Sequence, residues 1–377
     1  MSNLYRSALS ARIAKLPADL GPAEDGVDEE TDSLGSLPGS GMGPPAMQVS
    51  HFHPHYFGLS FAIEGLPYTA FQVALPGRNL DSRVYYTPPG EAQKGASQTV
   101  MILQHGAGYS GLSFACMAKE ITDLSRGECG VLAIDARRHG RTASTSETPD
   151  EDLSIGVLVD DFVDVIQTIY GDIEGSPTLI LVGHSMGGSI VTRACPKLLD
   201  KKYKIGGVAV LDVVEGSAIE ALPHMNNLLN ARPDGFDSVE EAVEWHVTTK
   251  AIRNPTSARI SIPNIVKPSE SSSLNVPPFV WRTTLRSTAP YWESWFLGLS
   301  SSFLSVRTAR LLVLAGTDRL DKELMIGQMQ GKFQMIVVPG TGHMLHEDDP
   351  TRLAEIMVDF WRRNERLVVG IKKVGEK

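Results

Sequence analysis

Residues 183–188 read Gly-His-Ser-Met-Gly-Gly, between the apolar run Thr178–Val182 and a helical pattern that starts near Ile190. A G-x-S-x-G string between a strand and a helix is typical of a sharp turn that holds a nucleophilic serine. Its glycines remove side chains that would clash in such a strained turn. The serine hydroxyl then stands at a helix N-terminus, whose N–H groups stabilise developing negative charge. The string predicts Ser185 as a nucleophile, although a glycine-rich turn without chemistry would use the same letters.

Short apolar runs and helical patterns alternate on both sides of this string. The runs are rich in Val, Ile and Leu, as strands buried on both faces of a parallel sheet require. Helical stripes run from Leu158 to Ile169 and from Leu353 to Trp361. The sequence therefore predicts an α/β protein with the α/β-hydrolase fold, in which helices cover both faces of a mostly parallel central sheet. The other predicted strands are Thr99–Leu103, Gly130–Ile134, Val208–Leu211, Leu311–Leu314 and Phe333–Val338.

Composition divides the chain into a domain with a tail at each end. Residues 1–50 are acidic and then rich in Gly, Ser and Pro, and they hold too few large apolar groups to offset the entropy of ordering. They are predicted to be disordered, as an N-terminal tail. The hydrolase domain is predicted over 51–366 and a C-terminal tail over 367–377. The β–α alternation breaks at about 215–309, which predicts a helical cap insertion with a flexible Pro- and Ser-rich loop at about 261–278.

A serine hydroxyl needs a base to take its proton, and in this fold the base follows the last strand of the sheet. His343, in Gly340-Thr341-Gly342-His343, stands there and is the predicted base. Two other histidines compete for the role. His184 adjoins Ser185, so its side chain should point away from the hydroxyl, and His346 is predicted to be structural.

An acid should orient the imidazole of the base, and two aspartates fit that role. Asp318 follows the strand that commonly carries the acid in this fold, and pattern alone would choose it. Asp212 follows Val208–Leu211, which should lie beside the strand that carries Ser185. From the residues alone the choice stays open.

The oxyanion formed in acyl transfer needs backbone donors that are already in place. The N–H of Met186, the residue after the nucleophile, is one predicted donor. The string His105-Gly106-Ala107-Gly108 follows a predicted strand and is similar to the glycine-rich loops that supply the second, here through Ala107. A purely structural glycine loop is the alternative.

The remaining histidines are not predicted to take part in chemistry. His139, in Asp135-Ala136-Arg137-Arg138-His139-Gly140, is interpreted as scaffold near the rim of the site. His51, His53 and His55 lack supporting carboxylates, so no metal site is predicted there. The chemistry proposed for Ser185 needs no cofactor.

The formal charge of −9 disfavours nucleic acid and anionic membranes as partners, because both attract clustered Lys and Arg. The cysteines, Cys116, Cys129 and Cys195, are widely spaced and odd in number, which favours reduced thiols. No secretory signal or membrane-spanning segment is recognisable. The expected location is the cytoplasm, the nucleus or both.

Several longer strings are specific enough to indicate one family. They are Leu211-Asp212-Val213-Val214-Glu215-Gly216, Ile252-Arg253-Asn254, Trp281-Arg282, Tyr291-Trp292-Glu293-Ser294-Trp295-Phe296, and the run from Leu314 through Gln334. These strings closely resemble the protein phosphatase methylesterase family, and the likeness extends from about Tyr56 to Trp361.

The resemblance implies a carboxylesterase that removes the methyl ester from the C-terminal leucine of the type 2A protein phosphatase catalytic subunit. By its GHSMGG, DVVEG and GHxxHED strings, the family places the nucleophile at Ser185, the acid at Asp212 and the base at His343. It thus favours Asp212 over Asp318. A broad-specificity small-ester carboxylesterase and a non-catalytic phosphatase-binding scaffold remain the alternatives. The aromatic segment 291–296 is expected either to contact the phosphatase or to pack the cap onto the sheet.

Overall fold

The computed structural model describes residues 61–62, 68–90, 98–147, 151–171, 173–271, 275–316 and 320–368. Several predictions lie outside these ranges. They are the disordered tail at 1–50, residues 369–377 of the C-terminal tail, Asp318, His51, His53 and His55.

The described strands form one large sheet and one small sheet. Numbered along the chain, they are β1 (Phe61–Ala62), β2 (Thr69–Leu75), β3 (Leu80–Thr87), β4 (Thr99–Gln104), β5 (Cys129–Ile134), β6 (Ala143–Ser144), β7 (Thr178–His184), β8 (Ile205–Leu211), β9 (Gly235–Phe236), β10 (Val266–Pro268), β11 (Phe279–Trp281), β12 (Ala309–Leu314) and β13 (Gln334–Val337). The large sheet has the order β1-β2-β3-β5-β4-β7-β8-β12-β13, and β6 pairs with β3. From β5 to β13 all neighbours are parallel, which confirms the predicted mostly parallel sheet.

Side chains of the central strands alternate between two apolar cores. In β4, Ile102 belongs to one core and Met101 to the other, and in β7 Leu181 and Val182 divide in the same way. All four side chains are fully buried. Because neighbouring residues of a strand point to opposite faces, both faces of this sheet are covered.

The helices of the structure cover these two faces and form most of the insertion. They are α1 (Ala115–Leu124), α2 (Ile155–Ile169), α3 (Met186–Asp200), α4 (Glu215–Asn230), α5 (Val239–Thr248), α6 (Pro255–Ser261), α7 (Trp292–Phe296), α8 (Leu299–Ser305), α9 (Lys322–Met329), α10 (Leu345–Asp348) and α11 (Pro350–Val368). On one face α2 buries Phe162 and α3 buries Ile190; on the other α1 buries Ile121 and α11 buries Met357. None of the described helices has the length and apolar character needed to cross a bilayer.

The sheet begins with antiparallel strands that the sequence pattern did not indicate. β2 and β3 pair along their whole length, from Thr69 opposite Tyr86 to Leu75 opposite Leu80. β3 then pairs antiparallel with β5, which joins this ribbon to the parallel strands. The antiparallel pair of β2 and β3 therefore extends the sheet beyond β5, where the parallel strands begin.

The segment between β8 and β12 contains α4 to α8 and the small sheet, whose order is β10-β11-β9. It has an apolar core of its own, which includes Phe236, Ile252 and Ile262. The flexible-loop prediction for 261–278 is wrong over its first part. A 3-10 helix, Ile262–Asn264, and strand β10 lie there, and Ile265 and Val266 are buried. The Pro- and Ser-rich composition predicted a loop because it gives no sign of this regular structure. The structure depends instead on packing against the rest of the insertion.

Candidate active site

Ser185 lies at the turn between β7 and α3. We call residues 183–188 the nucleophile turn. The Ser185 backbone has φ 52° and ψ −119°, which non-glycine residues rarely adopt. Its N–H donates to Leu211 O at 3.0 Å, and its carbonyl oxygen accepts from Gly188 N–H at 2.8 Å. These backbone bonds hold the strained conformation at the C-terminal end of the strand, where the hydroxyl is partly exposed.

The glycines of the nucleophile turn are required by lack of space. A Cβ on Gly187 would lie 2.1 Å from Gln104 O and 2.7 Å from His105 O. A Cβ on Gly183 would lie 2.1 Å from Gly187 O. All of these neighbours are backbone atoms, so a side chain at Gly187 would push α3 away from the end of β4, and one at Gly183 would distort the turn itself.

Asp212 follows β8 directly, and only 1% of it is exposed. Its φ is 49°, a left-handed conformation that Asp tolerates better than most residues. One carboxylate oxygen, Oδ1, accepts from Ala315 N–H at 2.9 Å, and Asp212 N–H donates to Val313 O at 2.8 Å. The other oxygen, Oδ2, lies 2.9 Å from His343 Nδ1. The structure thus brings together Asp212 and the predicted base.

His343 lies in the segment that follows β13, of which we call residues 340–348 the histidine loop. Because Nδ1 donates to the Asp212 carboxylate, Nε2 carries the free lone pair of the neutral ring. Half of the side chain is exposed, at 51%. His343 O is 2.8 Å from His184 Nε2, and the two rings lie 4.6 Å apart. Since His184 directly precedes Ser185, the imidazole lies beside the nucleophile turn.

Among the described residues, no hydrogen bond joins the Ser185 hydroxyl to the imidazole of His343, whereas the bond from the imidazole to Asp212 is formed. Catalytic hydrogen bonds are often long without substrate and shorten when it binds. The structure therefore has the bonded pair of Asp212 and His343 next to the turn that carries Ser185.

The glycine loop after β4 passes directly beside Ser185. A Cβ on Gly106 would lie 3.2 Å from Ser185 Cβ and 2.8 Å from His184 Nδ1. His105 fixes the loop: its Nδ1 donates to Gly106 O at 2.7 Å and its Nε2 accepts from Ala136 N–H at 2.9 Å. Burial lowers the pKa of His105 well below its ordinary value, which keeps the ring neutral and able to make both bonds.

Both predicted oxyanion donors adjoin these residues. Met186 is the first residue of α3, where a backbone N–H has no acceptor within the helix. Ala107 follows Gly106 and is half-buried against the apolar core. The two N–H groups therefore belong to the segments that flank the Ser185 side chain.

The competing histidines are packing groups. His184 is buried, and burial together with the neighbouring His343 lowers its pKa to about 3. His346 is also buried, with a pKa well below its ordinary value for the same reason, and its ring stacks on Phe114 at 4.4 Å. His139 donates from Nδ1 to Arg137 O at 2.8 Å, and burial lowers its pKa to about 4.

The aromatic segment 291–296 divides between surface and core. Trp292 and Trp295 are buried, with 6% and 2% exposed. Trp292 Nε1 donates to Thr288 Oγ1 at 2.8 Å, and Trp295 Nε1 donates to Leu153 O at 2.7 Å. Both tryptophans therefore pack the insertion onto the domain, as one of the two interpretations of this segment expected.

Sequence reasoning gave no role to Arg253, which contacts the histidine loop, or to Glu347 and Asp348, which lie in it. Asp348 accepts from the N–H of Gly342 at 2.7 Å, and Glu347 is fully buried. The run His346-Glu347-Asp348 so close after the predicted base was the available signal. It could not show which groups those side chains would meet.

Comparison with known proteins agrees with the predicted fold and family. A family model described as the alpha/beta hydrolase family matches residues 100–356. Protein phosphatase methylesterase 1 of Cryptococcus neoformans var. neoformans serotype D is 41% identical over 409 residues, covering 100% of this chain and 96% of the relative. The chain belongs to the protein phosphatase methylesterase 1 family. As a member of that family it is a serine esterase of the α/β-hydrolase fold, so the predicted fold and family are confirmed.

Other members of the methylesterase family are similarly close. The methylesterase of Aspergillus fumigatus is 41% identical, over 97% of this chain and 90% of its own length. That of Schizosaccharomyces pombe is 44% identical, over 73% of this chain and 78% of its own length.

Solved structures that are distant in sequence share the fold. E-2-(acetamidomethylene)succinate hydrolase has a TM-score of 0.57 at 18% identity, over 78% of this chain and 98% of its own. A peroxisomal α/β-hydrolase of Saccharomyces cerevisiae has a TM-score of 0.58 at 14% identity, over 87% and 93%. At identities this low, the similarity of these structures to the chain concerns the fold and nothing more.

Proposed function

We propose that this chain removes the methyl ester from the C-terminal leucine of the type 2A protein phosphatase catalytic subunit. Ser185 is the nucleophile, His343 the base and Asp212 the residue that orients it. The observation that carries the proposal is the 2.9 Å hydrogen bond between Asp212 and His343 beside the strained Ser185. The substrate is inferred from the relatives' names together with the resemblance of the long strings.

In the first step Ser185 Oγ attacks the ester carbonyl carbon while His343 Nε2 takes the hydroxyl proton. The carbonyl oxygen becomes an oxyanion, which the N–H groups of Met186 and Ala107 stabilise. The carbon–methoxy bond then breaks, and the imidazolium returns its proton to the departing oxygen, so methanol leaves. The leucine carbonyl stays bound to Ser185 as an acyl ester.

In the second step water replaces methanol. His343 Nε2 removes a proton from the water, whose oxygen attacks the acyl carbonyl. The bond from the acyl carbon to Ser185 Oγ then breaks as the imidazolium returns the proton to Oγ. The products are the original enzyme and the free leucine carboxylic acid, which releases its remaining proton to solvent to become the carboxylate. Asp212 remains ionised throughout and stabilises the imidazolium through the Nδ1–H bond. Each proton and each bond is accounted for by these groups and one water, without a metal or cofactor.

The geometry of the site is compatible with a macromolecular substrate. The His343 side chain is half exposed, and the loop that carries Ala107 passes beside Ser185. A flexible C-terminal peptide could thus approach the imidazole from solvent. The acidic net charge of −9 disfavours nucleic acid and anionic membranes as partners, and we place the activity in the cytoplasm, the nucleus or both.

Purified type 2A phosphatase with a methylated C-terminus tests the substrate. Incubation with this protein should release one methanol per phosphatase, and Ser185→Ala should release none. A short p-nitrophenyl ester, assayed in parallel, distinguishes a broad-specificity esterase. If the small ester is hydrolysed and the methylated phosphatase is left intact, the substrate assignment fails while the esterase mechanism stands.

A fluorophosphonate probe tests the nucleophile independently of any substrate. Such a probe phosphonylates an activated serine, so the wild-type protein should be labelled and Ser185→Ala should not. A folded wild-type protein that resists labelling and yet binds the phosphatase would instead support the non-catalytic scaffold.

A further inference from the structure

We infer that Arg253, in the insertion between β8 and β12, is a positioning residue that acts with Asp348 to hold the imidazole of His343 in place. The inference rests on the proposed role of His343 and goes beyond it, because it assigns to the insertion a part in building the catalytic site. Arg253 lies between α5 and α6, almost 90 residues before the loop it supports.

The Asp348 carboxylate is the centre of this arrangement. One oxygen, Oδ1, accepts from Arg253 N–H at 2.7 Å, and the other, Oδ2, accepts from Gly342 N–H at 2.7 Å. Only 2% of the Asp348 side chain is exposed. Because Gly342 directly precedes His343, one buried carboxylate ties the insertion to the residue before the base.

The Arg253 side chain adds a second tie to the same loop. Its Nη1 donates to Gly340 O, and its Nε lies 3.7 Å from Asp348 Oδ2. A Cβ built on Gly342 would lie 3.6 Å from Arg253 Nε, so the guanidinium lies against the loop. Gly340 has φ 86°, the left-handed region that glycine adopts readily, so the loop turns sharply where Arg253 contacts it.

The insertion contacts the rest of the histidine loop as well. Ser257 Oγ donates to Glu347 O at 2.8 Å, and Ser261 Oγ donates to Glu347 Oε2 at 2.6 Å. Met344, the residue after His343, is buried in the apolar core of the insertion. The insertion therefore holds both chain neighbours of His343, Met344 directly and Gly342 through Asp348.

Few other contacts restrain the imidazole of His343, and this supports a positioning role for Arg253 and Asp348. The His343 side chain is half exposed, and its Nδ1 bond to Asp212 restrains one edge of the ring. A base must sit within hydrogen-bond reach of the hydroxyl it deprotonates, and a displacement of about 1 Å can cost on the order of 100-fold in rate. Arg253 and Asp348 touch none of the reacting atoms, so their effect must pass through the backbone of the loop.

The contacts of Arg253 and Asp348 differ from those of an ordinary surface ion pair. The charged atoms of Arg253 and Asp348 are 3.7 Å apart, and exposed pairs of that kind contribute little to stability. The strong contacts instead run to backbone groups at 340, 342 and 253. Burial raises the pKa of Asp348, and the bonds from the two N–H groups oppose that effect, so the same contacts favour its ionised form.

The test compares Arg253→Ala, Arg253→Lys and Asp348→Asn in the full chain. Arg253→Ala removes the bond to Gly340 O, and Lys restores a donor. Asp348→Asn leaves one oxygen and places an NH₂ group against a backbone N–H. Arg352→Ala is the matched control, because the Arg352 side chain forms an exposed pair with Glu355 within α11.

Three readouts are taken on each variant: kcat and KM for methylated phosphatase, the rate of fluorophosphonate labelling, and the low-field proton resonance of the His343 Nδ1–H bond to Asp212. We expect Arg253→Ala and Asp348→Asn to lower kcat and the labelling rate by roughly 10- to 100-fold with little change in KM. The resonance should shift or broaden in both. Arg253→Lys should recover part of the loss, and Arg352→Ala should match the wild-type protein.

Three results would overturn this inference and leave the proposed function standing. The first is a wild-type kcat, labelling rate and resonance in Arg253→Ala, and the second is an equal loss of kcat in Arg352→Ala. The third is a lower unfolding midpoint of Arg253→Ala with unchanged kcat, which would make Arg253 a stabilising contact only. If instead the wild-type protein is not labelled at Ser185, the proposed function fails, and the positioning role fails with it.

Discussion

The nucleophile turn and the histidine loop solve the same problem, placing a reactive side chain, by different means. In the turn, backbone atoms alone set the position: Ser185 has a strained φ, and Gly187 leaves no space for a Cβ beside Gln104 O. In the loop, side chains from distant parts of the chain set it. Asp212 comes from the end of β8, and Arg253 comes from the insertion.

Because of this difference, the nucleophile turn and the histidine loop should respond differently to substitution. A turn defined by backbone contacts is rigid, and almost any added atom damages the fold. A loop defined by side-chain hydrogen bonds keeps its fold when one partner changes, but the imidazole loses its alignment. Substitutions of the turn glycines should therefore affect stability, and substitutions that remove the hydrogen bonds of Asp212, Arg253 or Asp348 to the loop should affect kcat.

The largest expected effect is a loss of kcat, which distinguishes Asp212 from Asp318 as the residue that orients His343. Asp212→Asn should lower kcat for demethylation by roughly 10⁴-fold, because the amide nitrogen would face His343 Nδ1 and favour the wrong tautomer. Asn tolerates the φ of 49° and can keep the Ala315 N–H bond, so the fold should survive. Asp318→Asn is the control, with kcat close to wild type. The opposite ranking in a steady-state assay would assign the orienting role to Asp318.

The next effect probes the rigidity of the turn. Gly187→Ala should destabilise the protein by about 3 kcal/mol or prevent folding, since its Cβ would meet backbone oxygens of β4 and the residue after it. Gly156→Ala, in α2, is the matched control, because a Cβ there meets nothing within 4 Å. It should stabilise the helix by about 0.5 kcal/mol. Urea unfolding measures both, and a Gly187→Ala variant as stable as wild type would contradict the steric account.

The smallest expected effect is on the pH dependence of the free energy of unfolding, to which the two regions contribute in opposite directions. In the turn, the pKa of His184 is lowered to about 3 by burial, so its contribution to stability is present above pH 6.5 and is lost as pH falls toward 3. In the loop, burial raises the pKa of Glu347 to about 8. Its contribution is present below pH 4.5 and is lost as pH rises through 8.

Glu347→Gln should remove that alkaline loss and leave the acid loss in place. The free energy of unfolding, measured in urea from pH 5 to 8, should fall more steeply in the wild-type protein than in the variant. Parallel curves for the two proteins would show that Glu347 is already ionised in the folded state.

The sequence predicted those parts of the fold whose signal is local. The parallel strands were recognised because a strand buried on both faces must be a continuous apolar run, as Thr178–His184 is. β2 and β3 were missed because their polar residues, such as Gln72 and Arg83, interrupt any such run. The order in 262–268 was missed because it depends on the apolar core of the insertion, to which no local pattern points.

For the site, the sequence by itself predicted where a nucleophile and a base would stand, because Ser185 and His343 occupy turns whose local pattern identifies them. The residues alone left Asp212 and Asp318 open, and only the tertiary structure showed that Asp212 meets the imidazole and that Arg253 and Asp348 contact the loop. The bond from His343 to Asp212 spans 131 residues of chain. Whether such side chains meet depends on the order of strands in the sheet and the packing of the insertion, which no spacing along the chain can specify.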